Sequence, residues 1–208
     1  MDWANVISGV IAALAVTIGL PLALRKRKKE SSQKKEQLLH HFQEIGLEAS
    51  LAESAVAEQR VGVRRSSGER SEGVIKIKGR NFDYVNVISV ASQYGVRYFL
   101  DYLVRSPSFL GKKRKKTKLV RKKSSGVWGR VVDIEWRGDD YLCRELNWDY
   151  QLKDKLMAAG VDELKGGITI SPEPKYEYVR IRISYLLPSS DSLEVIDIVA
   201  SHIKKSGW

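Results

Sequence analysis

The chain has 208 residues, 43% hydrophobic and 29% charged, which suits a folded domain and excludes wholesale disorder. Its one cysteine, Cys143, excludes an intrachain disulfide and fits a reducing compartment. The net charge of +11 is concentrated: residues 25–35 carry a net +6 and residues 112–123 a net +9, leaving the remainder slightly acidic.

Residues 3–24 hold no charged side chain. As a helix rising about 1.5 Å per residue they reach about 33 Å, enough for a hydrocarbon core of about 30 Å. Trp3 stands where an interfacial aromatic belongs, and the basic run Arg25, Lys26, Arg27, Lys28 and Lys29 follows directly. With no basic residue before the span, the positive-inside rule predicts a single-pass cell-membrane anchor over 1–24, N-terminus out, with residues 25–208 cytoplasmic. A cleaved signal would need positive charge ahead of the apolar run, and only Asp2 precedes it. Two small-residue pairs, Gly9 with Ala13 and Ala15 with Gly19, would let two such helices approach closely.

After the juxtamembrane segment 25–35, Leu38, Phe42, Ile45, Ala49, Ala52 and Val56 recur at heptad spacing, predicting a helical stalk over 36–60. That stripe either packs on the following domain or pairs two chains into a homodimer. Residues 61–72 read as a polar linker, and a domain over 73–208 follows. Its elements, in order, are a strand at 74–78 with Ile75 and Ile77 inward, and a helix over 83–105 interrupted by Gly95. A basic loop at 111–126 comes next, then a strand at 127–137 with Trp128, Val132, Ile134 and Trp136 on one face. A helix from a cap at Asp139 or Asp140 to Met157 would bury Leu142, Cys143, Leu146, Tyr150 and Leu156. A short piece at 168–170 leads to the plainest strand, Tyr176 to Tyr185, with Val179, Ile181 and Ile183 inward and Tyr178, Arg180 and Arg182 outward. A last helix, capped by Ser189 or Ser190, would bury Leu193, Ile196, Val199, Ala200 and Ile203. The predicted fold class is α+β: a transmembrane helix, a helical stalk, then a sheet of three or four strands packed with about three helices.

Chemistry is sparse. No glycine-rich phosphate loop or zinc spacing occurs, so no cofactor is implied. Of the three histidines, His40 and His41 fall in the stalk and His202 near the C-terminus, so a Ser–His–Asp arrangement has little to draw on. Asp133, Glu135, Asp139 and Asp140 form the one carboxylate cluster, with Asp133 and Asp140 as candidate Mg²⁺ ligands for a nuclease-like reaction. The bland reading makes the first two an exposed strand face and the last two a turn and helix cap. Function therefore rests on charge. Lys112, Lys113, Arg114, Lys115, Lys116, Lys118, Arg121, Lys122 and Lys123, with the juxtamembrane run, form a polyanion-binding arm. Beside a membrane that arm would hold anionic lipid, making the chain an accessory or adaptor protein rather than an enzyme. The alternative partner is nucleic acid, although residues 112–123 contain no aromatic side chain to stack on bases.

Overall fold

The computed structural model describes residues 33–53, 56–64, 67–106, 114–124, 131–158, 164 and 167–207. In chain order the regular elements are α1 (33–44), β1 (Ala49–Leu51), β2 (Glu69–Ile77), β3 (Tyr84–Ser92), β4 (Gly95–Arg105) and β5 (Thr117–Lys123). Then come β6 (Val131–Arg137), α2 (Asp140–Trp148), α3 (Tyr150–Ala158), β7 (Thr169–Glu173), β8 (Tyr178–Ser184) and α4 (Ser190–Lys205). The eight strands form one antiparallel sheet in the order β1-β2-β3-β4-β8-β7-β5-β6.

This corrects the expected fold class of a three- or four-stranded sheet behind a transmembrane helix. Among the described residues no helix is long and apolar enough to cross a membrane. The span predicted over 3–24 lies outside the described residues, and the membrane, single-pass description finds no support in the structure. The extra strands come from three places. Residues 83–105 are not a helix but the hairpin β3–β4, in register from Tyr84↔Leu103 to Ser92↔Gly95. Val85, Val87, Ile88, Val90 and Val96 are β-branched and favour a pleated surface, and Gly95, at φ +124°, opens the returning strand. Residues 117–123 of the predicted basic loop are strand β5. Residues 49–51 of the predicted stalk are strand β1, and residues 69–72 of the predicted linker lengthen β2.

The core lies between one sheet face and the four helices. Ile75, Val85, Val87, Leu100, Tyr102, Ile170, Ile181 and Ile183 meet Leu142, Leu146, Leu152, Leu156 and the buried stripe of α4 there. Register explains the face: Ile75, Val85, Tyr102, Ile181 and Ile170 are successive cross-strand partners. Helix α1 supplies Leu38 and Phe42, both fully buried, so the start of the heptad stripe packs on its own domain. The helix stops at Gly46, whose φ of +81° lets the Leu47 N–H reach back to the Phe42 carbonyl at 2.9 Å. The stalk expected to 60 therefore ends at 44, and the chain turns into β1. Likewise the helix expected to Met157 is two helices, broken at Asp149. Its extended backbone ends α2, and its carboxylate accepts the Leu152 N–H at 2.8 Å to cap α3.

The other sheet face carries a buried ionic network. Asp101 is fully buried, and its two oxygens accept Arg182 Nε at 2.7 Å and Nη2 at 2.8 Å. Arg182 Nη1 bonds Glu69 at 2.8 Å, and Arg180 reaches Asp101 at 3.4 Å and Glu173 at 3.2 Å. Burial alone would raise the Glu69 carboxyl, but hydrogen bonds from the Arg182 side chain and the Arg64 backbone lower it overall. Glu173 goes the other way, because burial outweighs its partner Arg180. The segment around the 3₁₀ turn Ala57–Arg60 covers this face. Gly62 lies so close to Arg180 that a Cβ there would sit 2.5 Å from Nε. Arg180 and Arg182, expected outward, do lie on that face, but under a lid of chain rather than in water.

Two stability outcomes follow. Replacing Phe42 by Ala should cost about 3–5 kcal/mol, measured by urea unfolding, because a buried ring leaves a cavity. Asp101→Asn should cost a similar amount, about 3–5 kcal/mol, because it leaves two buried guanidinium groups short of a counter-charge.

Candidate polyanion interface

The basic segment is built into the fold rather than hung from it. Thr117, Leu119 and Arg121 alternate with Lys118, Val120 and Lys122, so β5 has a core face and an outer face. Leu119 is buried in the core. Lys118 and Lys122 on the outer face and Arg121 on the inner one hid this alternation behind a run of charge. Several of the charges are spent internally. Arg114 lies 3.7 Å from Asp139, and Lys115 3.7 Å from Asp140. The Arg121 guanidinium donates to the Leu164 carbonyl. Lys122 lies 3.2 Å from Asp133 and 3.4 Å from Glu135. Lys116 and Lys118 are exposed and carry no such partner among the described residues. Arg25, Lys26, Arg27, Lys28, Lys29, Lys112 and Lys113 lie outside the described residues.

The candidate metal ligands are not brought together on a shared site. Asp133 sits 2.8 Å from Lys153 of α3 and accepts the following Ile134 N–H at 2.9 Å. Hydrogen bonds from Lys153 and then Lys122 hold its carboxyl down at about 2. Glu135 is held low by Arg137, 2.9 Å away. Asp139 caps α2 by accepting the Leu142 N–H at 3.2 Å, and Asp140 points to solvent. No group of three or more His, Cys, Asp or Glu that could hold a metal occurs among the described residues. A cavity of about 270 Å³ between β6 and the helices is lined by Asp133, Glu135, Lys122 and Lys153. Its opposite charges already face one another. At its side Asn147 both donates to and accepts from the Trp136 backbone, at 3.0 and 2.8 Å, which closes part of the free edge of β6.

The histidines are ties as well. His41 bonds the Pro188 carbonyl at 2.8 Å, His202 bonds Asp149 at 2.8 Å, and His40 lies 3.3 Å from Glu44 on its own helix. Cys143 is half-buried, and burial pushes its thiol up, away from the nucleophilic thiolate.

The surface that stands out is the outer face of α2. Tyr141, Arg144 and Trp148 follow at i, i+3 and i+7 and share one side of the helix. The Arg144 guanidinium lies 5.5 Å from the Tyr141 ring and 5.6 Å from the Trp148 ring, between the two. Arg114, from the start of the basic segment, lies over Tyr141 at 5.9 Å. The result is a ladder of alternating guanidinium and ring, Arg114–Tyr141–Arg144–Trp148. Trp148 is 67% exposed, and the adjoining Tyr150, expected in the core, is 73% exposed. The site is hidden in the sequence because the apolar side of α2 alone accounts for the helix. Two large aromatics and an arginine on the polar side, at helical spacing, were the available signal.

The paired Asp133 gives a pH test. Its folded value lies below the ordinary 3.8, so its contribution is fully present above about pH 4 and is lost as pH falls through about 2. Asp133→Asn should lower the melting temperature at neutral pH and flatten its decline over that acid range, followed by circular dichroism. No family model, curated protein or solved structure matches the chain.

Proposed function

We propose that this domain is a binding module, not an enzyme, and that α2 with the start of the basic segment holds single-stranded nucleic acid. The observation that carries this reading is the exposed face of Tyr141, Arg144 and Trp148, backed by the largely buried Arg114. Bases stack on aromatic rings and on guanidinium planes whatever their sequence, at about 1–3 kcal/mol per base. The lack of aromatics inside residues 112–123 counted against a nucleic-acid partner, and α2 supplies the missing rings across the fold. Lys116 and Lys118, exposed at the start of β5, are cations of the basic segment left for phosphates. The carboxylates and histidines are engaged with protein partners, which supports a binding rather than a catalytic role.

The test is fluorescence-anisotropy titration of the full chain with a short, labelled, single-stranded uridine oligomer. Trp148→Ala should weaken binding roughly ten- to hundred-fold, matching the loss of about 1–3 kcal/mol of stacking. Replacing Lys116 and Lys118 with Gln should reduce the salt slope by about 1.4, at about 0.7 per phosphate contact on a single strand. Unchanged affinity in Trp148→Ala would overturn the proposal, as would binding to anionic vesicles with none to the oligomer.

A further inference from the structure

A second cavity, of about 420 Å³, lies on the outer face of the sheet, away from the α2 ladder. The ends of β2, β3, β4 and β8 form its floor, the 3₁₀ turn Ala57–Arg60 one wall, and the turn Pro174–Tyr176 another. Its size suits a small organic molecule. Three tyrosines line it: Tyr84 and Tyr178, edge to face with ring centres 6.3 Å apart, and Tyr176 on the turn. Val61 is fully buried beneath them, packed with Leu103 and Tyr178.

The charges around this cavity are unevenly committed. Glu58 accepts the Tyr178 hydroxyl at 2.9 Å. Asp83 accepts the Arg105 backbone N–H at 2.9 Å and faces Lys204 at 3.9 Å. Both carboxylates therefore have work within the protein. The three cations do not: Lys76, the Arg105 side chain and Lys175 are exposed at the rim, with no carboxylate partner among the described residues. Lys175 lies over the Tyr176 ring at 5.6 Å, so one cation and one ring are held together. The turn that carries both is followed by Glu177, the one non-glycine residue with positive φ among the described residues, at +59°. Its carbonyl accepts the Ser106 N–H at 2.9 Å, which pins the turn beside the cavity. Backbone held in this region costs free energy and collects at ligand sites.

We infer that this cavity binds a small anion attached to a planar ring, with a nucleoside monophosphate as the fitting class. Lys76, Arg105 and Lys175 take the phosphate, and the ring lies against Tyr176 and Tyr84. The Tyr84 phenol is protonated at neutral pH and burial pushes it further up, so it is a hydrogen-bond donor beside the anion, while the Tyr178 hydroxyl donates to Glu58.

The experiment is calorimetric titration of the full chain with adenosine monophosphate, with inorganic phosphate and adenosine as separate arms. Adenosine monophosphate should bind at least about tenfold more tightly than either part, because charge-assisted bonds and ring contact both contribute. The triple variant Lys76→Ala, Arg105→Ala, Lys175→Ala and the single variant Tyr176→Ala should each weaken it by about tenfold or more. All four side chains lie at the surface or half-buried, so the variants retain the core. Trp148→Ala should leave this binding unchanged, which separates the cavity from the oligomer site. No heat with adenosine monophosphate overturns the inference, and so does equal binding by the triple variant. Adenosine binding as well as its monophosphate would remove the anion site, and phosphate alone binding as well would remove the ring site.

Discussion

Asp101 sits fully buried in β4 and takes a two-pronged grip from Arg182 and a longer contact from Arg180, both in β8. The two strands are neighbours in register, Asp101 opposite Arg182, so this ion pair and the strand pairing specify each other. A strand slip of one residue would move Asp101 and the arginines among apolar side chains, and no such slip is affordable for a buried charge. The segment over the outer face depends on the same network. Gly62 lies flat on Arg180, and Glu58 reaches both the Asn86 amide, through its carbonyl, and the Tyr178 hydroxyl. The tyrosine-lined cavity stands on that covering.

The sheet thus has two differently built faces. One is apolar and closed by four helices. Cross-strand partners of one face stay on that face across the sheet, so the second face collects every alternate polar residue. Near β4 and β8 those residues are covered and paired; toward β5 and β6 they form the exposed lattice of Lys122, Asp133, Glu135 and Arg137. Among the described residues of the basic segment, Arg114, Lys115 and Lys122 are thus already paired with carboxylates. Among the described residues, Lys116 and Lys118 at the start of β5 and Lys76, Arg105 and Lys175 around the cavity are exposed cations with no carboxylate partner.

Parts of this organisation were legible residue by residue. The alternation Val179, Ile181, Ile183 marks β8, and the spacing of Leu193, Ile196, Val199, Ala200 and Ile203 marks α4; all are buried. Ser189 and Asp139 cap helices where a side-chain oxygen before an apolar stripe says they should. The hairpin β3–β4 was misread because apolar residues in 85–103 match a helical face loosely and a strand closely. The β-branched content was the better guide there. Strand β5 was hidden because lysines occupy both its outer face and its ends.

Local spacing determined which residues face a core, where several helices begin, and that the positive charge lies in two short runs. Those are properties of neighbours in the chain, set by the periods of helix and strand. The tertiary structure alone decided the eight-strand order and the pairing of Asp101 with arginines about eighty positions away. It alone placed Arg114 over Tyr141 and gathered tyrosines from β3, β8 and a turn around one cavity. The reason is physical: which strands pair and which charges meet depends on burying one shared core, and no single segment carries that constraint.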